Sequence, residues 1–128
     1  MHTTKVLKLT AVVEAATGLA LMADPGLVVT LLLGAELSGE FVALGRVAGV
    51  ALFALGLACW PERQGSQAKS DAPAFRAMLT YNALVGFYLA YLGAVAHQAG
   101  VLLWPAAVLH VAVAIVLVWT ARNDRQTR

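Results

Sequence analysis

Charge is scarce in this chain. Only 12% of its 128 residues are Asp, Glu, Lys or Arg, and 60% are hydrophobic, whereas an ordinary soluble domain is about a quarter charged. Folded in water, so short a chain would bury only roughly two thirds of its unfolded surface, and the remainder would have to be polar. The composition cannot supply that exterior, and a mean hydropathy of +0.76 makes lipid the natural solvent. Cysteine is as sparse. Cys59 stands alone, so it allows no internal disulfide and says nothing of redox compartment. There is no metal-ligand cluster, no Gly-rich phosphate loop after a strand, no nucleophile elbow, and no pair of basic and aromatic tracts for nucleic acid. The polar segments are too short to fold into a catalytic domain, so soluble-enzyme chemistry has no foothold.

Long apolar runs are what the sequence does have. A spanning helix needs about 20 predominantly apolar residues to cross roughly 30 Å of hydrocarbon, and four stretches qualify: Lys5 to Ala23, Leu37 to Trp60, Ala74 to His97 and Val101 to Ala121. The first ends at Asp24-Pro25-Gly26, a turn triplet that does not continue a helix. Leu27 to Leu33 is apolar but too short to span, and reads as an interfacial or re-entrant half-turn. Pro61 to Pro73 is the one long polar segment and must be an aqueous loop. His97-Gln98-Ala99-Gly100 is a minimal hairpin connection. The expected fold is therefore an all-α, single-domain bundle of four transmembrane helices over residues 1–128. A signal peptide is the other reading of the first run; Glu14 inside its apolar core and Leu21 before Asp24 disfavour it.

Basic residues near helix ends are retained on the cytoplasmic side of a membrane. Lys5 and Lys8, then Arg63, Lys69 and Arg76, then Arg122, Arg125 and Arg128 all fall on one side of a four-helix arrangement, eight of nine basic residues. The opposite loops carry only Asp24, Glu36 and Glu40. Both termini and the 61–73 loop are thus expected in the cytoplasm, and a multi-pass position in the inner membrane follows. The net charge of +2 reflects these anchors and not a nucleic-acid patch. Trp60, Trp104 and Trp119 lie near helix ends, where amphipathic rings favour the interface.

Each expected helix also carries polar groups: Glu14 with Thr10 and Thr17, then Arg46, then Asn82 with Tyr81, Tyr88 and Tyr91, then His110. A charge at the bilayer centre costs about 2.5 to 3.5 kcal/mol on insertion scales, so such side chains should face the bundle interior and find partners. Counted from the outer helix ends, Glu14, Arg46, Tyr88 and His110 each lie nine residues deep, roughly 13 Å at the rise of an α-helix. A Glu14–Arg46 ion pair is expected, completed by Tyr88 and His110, with Asn82 about two turns deeper. The layer reads either as a structural clamp that fixes helix register or as a site that binds something. Gly45-x-x-x-Gly49 and Gly86-x-x-x-Ala90-x-x-x-Ala94 are small-residue repeats of the kind that let membrane helices approach closely, most simply within one bundle. No resident cofactor is expected: His97 and His110 sit at depths too different to ligate one haem iron. The tyrosine stripe of the third helix could line a slot for a quinone or other lipid, or serve as packing. Cys59 is more simply a small buried residue than a palmitoylation site.

The order of a first helix with Glu14, a Pro25-Gly26 turn, a short run ending Leu32-Leu33-Gly34, and then Leu44-Gly45-Arg46-Val47-Ala48-Gly49 resembles the DoxX-like group of small four-helix bacterial membrane proteins. The resemblance implies the four-helix fold and a setting beside redox or oxidative-stress systems, with Glu14 and Arg46 at the positions of that group's buried polar residues.

Three roles fit these features. The first is a small non-enzymatic membrane protein, either an accessory subunit against other membrane proteins or a self-associating bundle. The second is a binder of a quinone or other small amphiphile, through Tyr88, Arg46 and His110. The third is a transporter or channel built from several copies.

Overall fold

A computed structural model describes residues 2–60, 71–98 and 100–126. Among them the chain is all-helical: α1 (His2–Ala23), α2 (Pro25–Leu33), α3 (Gly39–Ala58), α4 (Asp71–Ala94) and α5 (Leu103–Gln126). The four long helices α1, α3, α4 and α5 are each long and apolar enough to cross a membrane. Residues 61–70, with Arg63 and Lys69 of the expected aqueous loop, and Arg128 of the tail lie outside the described residues. Pro73, expected in that loop, belongs to the first turn of α4, where the missing N–H of proline has no intrahelical partner to lose.

The short apolar run is a helix of nine residues and not a half-turn. Its signals are local. Asp24 caps it, the carboxylate accepting the Leu27 N–H at 2.9 Å, and Pro25 opens its first turn. Gly34 closes it in the left-handed conformation with φ 70°, its N–H reaching the Thr30 carbonyl, a position where a Cβ would be strained.

The bundle is built around α1, which packs against α3 on one face and against α5 and α4 on the other, while α4 and α5 form a tight pair of their own. Two stripes of small residues make the α1–α3 contact close. A Cβ on Gly49 would lie 2.7 Å from the Gly18 carbonyl oxygen, and one on Gly56 would lie 2.7 Å from that of Ala11. Ala11, Ala15, Gly18 and Met22 thus face Gly49, Phe53 and Gly56, spaced by the three, four and seven residues that share a helix face. The pairing of Ala11 with Gly56 and of Met22 with Gly49 runs the two helices antiparallel. In α4 and α5, Gly86 meets Val111 and Gly93 meets Trp104, again antiparallel.

These pairings bring the start of α1, the end of α3, the start of α4 and the end of α5 to one end of the bundle. Leu7, Ala11, Cys59, Met78 and Leu117 are buried together there, and the Cys59 thiol reaches the Ala74 carbonyl at 3.7 Å. Lys5, Lys8, Arg76 and Arg122 belong to this end, and Asp24, Glu36 and Glu40 to the other. At the acidic end α2 is tied to the α4–α5 connection: Leu102 N–H donates to the Leu31 carbonyl at 2.8 Å, and Gly100 lies so close to the Leu32 backbone that no side chain fits.

Candidate functional site

On α1 the face beside the small-residue stripe, about a quarter-turn round from it, carries Leu7, Thr10 and Glu14, turned toward α4 and α5. Thr10 and Glu14 are buried, and the Thr10 hydroxyl satisfies itself on the Val6 and Leu7 carbonyls. That leaves Glu14, 2% exposed in the middle of an apolar helix, and its carboxyl takes the Tyr81 hydroxyl of α4 as hydrogen-bond partner. The Tyr81 ring stands edge-on to the imidazole of His110 in α5, with centroids 5.7 Å apart and planes at 75°, a geometry aromatic quadrupoles favour. The next residue, Asn82, is 2% exposed; its amide N–H donates to the Met78 carbonyl at 2.9 Å, and its Oδ1 meets His110 Nδ1 at 2.9 Å. Glu14, Tyr81, Asn82 and His110 therefore form one polar cluster shared by α1, α4 and α5.

The expected layer is thus rearranged. Glu14 and His110 belong to it, and Asn82 joins it instead of lying two turns deeper. The depth count treats each side chain as level with its own backbone, whereas the Asn82 and His110 side chains reach along their helices to meet at 2.9 Å. His97 takes up the reversal between α4 and α5 with φ 55°. Arg46 and Tyr88 do not join. Arg46 is exposed on α3: the inward face of that helix is set by Gly45, Gly49 and Gly56, and Arg46 lies about 90° round from its centre at 3.6 residues per turn. Among the described residues α3 packs mainly on α1 and α2, and Arg46 is turned away from that face. Tyr88 is 61% exposed, about 110° round from the face of α4 that packs on α5. Tyr81 is the member of the tyrosine stripe that reaches the cluster. Its place one residue before Asn82, near the middle of the helix, was the available signal.

The cluster borders two cavities. One, about 440 Å³, is lined by Val13, Thr17 and Leu21 of α1, by Val28, Leu31 and Leu32 of α2, by Leu52 of α3, by Val85 and Leu89 of α4, and by Ala106 of α5, together with Tyr81 and His110. Along α1 it runs from Val13 to Leu21, about 12 Å at the helical rise. The other, about 230 Å³, is lined by Thr10, Glu14, Asn82 and His110 among Leu9, Val13, Leu109 and Val113. Toward the basic end lie Leu7, Met78 and Leu117, each 0% exposed and none of them lining either cavity. The larger space is a partly open chamber with an apolar wall, α2 along one side, and Tyr81 and His110 as polar groups in its lining. Another side is less closed: α4 shares no packed face with α2 or α3, yet residues of all three line it.

Among the described residues no group of His, Cys, Asp and Glu is placed to hold a metal ion. Small-molecule sites are usually concave, mostly apolar and furnished with a few convergent polar groups, and this chamber has that form. Compared with protein-family models, with curated proteins and with solved structures, the chain matches none.

Proposed function

We propose that this chain is a small, non-enzymatic, multi-pass protein of the inner membrane, with both termini in the cytoplasm, and that its bundle holds a small amphiphile in the chamber beside α2. One observation carries the reading: an apolar space of about 440 Å³ has the Tyr81 and His110 side chains in its lining, in the part of the bundle where hydrocarbon offers no other hydrogen-bond partner. A structural clamp would need the polar cluster but not the chamber beside it. The fully buried Leu7, Met78 and Leu117 favour binding over conduction through a single copy. The orientation rests on Lys5, Lys8, Arg76 and Arg122 sharing one end. The resemblance to the DoxX-like group, with its redox setting, is compatible with such a site and makes a quinone, in its reduced quinol form where a donor is needed, one candidate occupant.

Purification of the full chain in mild detergent, followed by organic extraction and mass spectrometry, is expected to yield one amphiphile in near-stoichiometric amount. Ala106→Phe, which puts a ring into the chamber, should abolish it. Retention of the same molecule by the filled variant would place it on the outer surface and refute the reading.

The role of accessory subunit or self-associating bundle draws on a different observation. α3 leaves most of its surface uncovered, with Arg46, Phe41, Leu44 and Val47 exposed. A charged side chain on such a face calls for a partner or for the interface.

A further inference from the structure

The hydrogen bonds of the chamber's polar groups have a direction, and that direction restricts the occupant. Asn82 gives its amide N–H to the Met78 carbonyl, an acceptor only, so it is Oδ1 that faces His110. An amide oxygen accepts and cannot donate, so His110 Nδ1 must carry the proton that bridges them. In the neutral imidazole this fixes the tautomer, and Nε2 is left as a bare acceptor. No hydrogen bond from a described residue reaches Nε2, and among the described residues no buried side-chain nitrogen or oxygen is without a partner. The Nε2 atom therefore has accessible surface, on a residue that lines both cavities. The neighbouring polar group, Tyr81, is already engaged with Glu14.

Resting on the proposal that the chamber holds an amphiphile, we infer that its ligand is a neutral lipid alcohol or phenol, bound with its hydroxyl inward and donating to His110 Nε2. A ketone, ester or quinone carbonyl offers only acceptors, so at Nε2 two lone pairs would face each other. A charged head group would have to leave water for the bundle interior, which excludes phospholipids in this pose. The apolar body then lies along Val13, Leu21, Val85 and Leu89, with α2 beside it. The chamber lies between α4 and the α2–α3 side, where the helices do not pack on one another. A molecule dissolved in the bilayer can therefore enter sideways without crossing water. A binding acceptor left unpaired in a low-dielectric site is penalised more heavily than the bond itself contributes, so discrimination between a hydroxyl and its methyl ether should exceed what a surface hydrogen bond gives.

The test uses the full-length protein in nanodiscs with two probes of equal chain, farnesol and farnesyl methyl ether, titrated by calorimetry. Farnesol is expected to bind about tenfold tighter, the factor that about 1.4 kcal/mol represents. In His110→Phe both should still bind, with the preference gone; Ala106→Phe should bind neither. The wild-type comparison stands without any variant, should His110→Phe fail to fold. Equal binding of the two probes, or preference for the ether, would overturn the alcohol inference and leave the chamber reading intact. Failure of both to bind wild type, or equal uptake by Ala106→Phe, would overturn the chamber reading and this inference together.

Discussion

Asn82 serves two partners at once, its own helix through the Met78 carbonyl and α5 through His110. Replacing it with Leu keeps the volume and removes both bonds. Measured hydrogen bonds between membrane helices are worth about 0.6 kcal/mol on average and up to about 1.7, and Nδ1 of His110 would be left without its acceptor. Asn82→Leu is therefore expected to lower unfolding stability in mixed micelles by about 1 to 2 kcal/mol. Tyr88→Phe makes the contrast: its hydroxyl is on an exposed residue, and the change should stay within about 0.5 kcal/mol. Equal losses at the two positions would contradict the cluster described here. Composition alone marked which residues were too polar for their helices, Glu14, Asn82 and His110 among them. It could not tell which would meet, because helix rotation and the reach of each side chain along its helix decide that, and neither leaves a periodic signal.

At the level of elements, the four long apolar helices were legible because length and apolar content decide them with little help from tertiary context. Their observed bounds differ from the apolar runs by a few residues: polar Asp71 extends α4 and Asn123 extends α5 as ordinary helix. What the runs did not show is that α3 would pack mainly on α1, with a smaller contact to α2. That arrangement follows from glycine. At Gly49 a methyl group would meet the Gly18 carbonyl oxygen at 2.7 Å and the Met22 backbone nitrogen at 2.8 Å, and both are backbone atoms, which yield less readily than a side chain. Gly49→Ala is therefore expected to cost about 1 to 3 kcal/mol through helix separation, seen as a lower midpoint of thermal aggregation. Gly39→Ala, where a Cβ has nothing within 4 Å, should be neutral or slightly stabilising, because alanine is the better helix former by about 1 kcal/mol. The small-residue repeat of the second apolar run thus earns an intramolecular role, with Gly45 set against Pro25 of α2.

For the whole molecule, the arrangement of charge carries the proposed orientation and also isolates one residue. Lys5, Lys8, Arg76 and Arg122 share an end, so reporter fusions at the C-terminus and after Gly100 should give cytoplasmic and exterior signals respectively; the reverse pattern would overturn the assignment. Arg46 obeys no such grouping. It lies seven residues into α3, about 10 Å along the helix, and a guanidinium on a long stem can reach from there toward the head groups. Removing one member of a buried ion pair strands the other and costs about 3 to 5 kcal/mol, and that is the loss a Glu14–Arg46 clamp would show. With Arg46 exposed on α3 and Glu14 held by Tyr81, Arg46→Leu should leave the unfolding free energy of the isolated protein within about 0.5 kcal/mol of wild type, as surface substitutions generally do. Glu14→Leu should instead disturb Tyr81 and through it the polar lining of the chamber. A multi-kcal loss in Arg46→Leu, matched by the same loss in Glu14→Leu and not additive with it in the double variant, would mean that α3 turns Arg46 inward in the membrane. The polar layer would then span all four long helices, and the chamber would have a cation beside its polar groups.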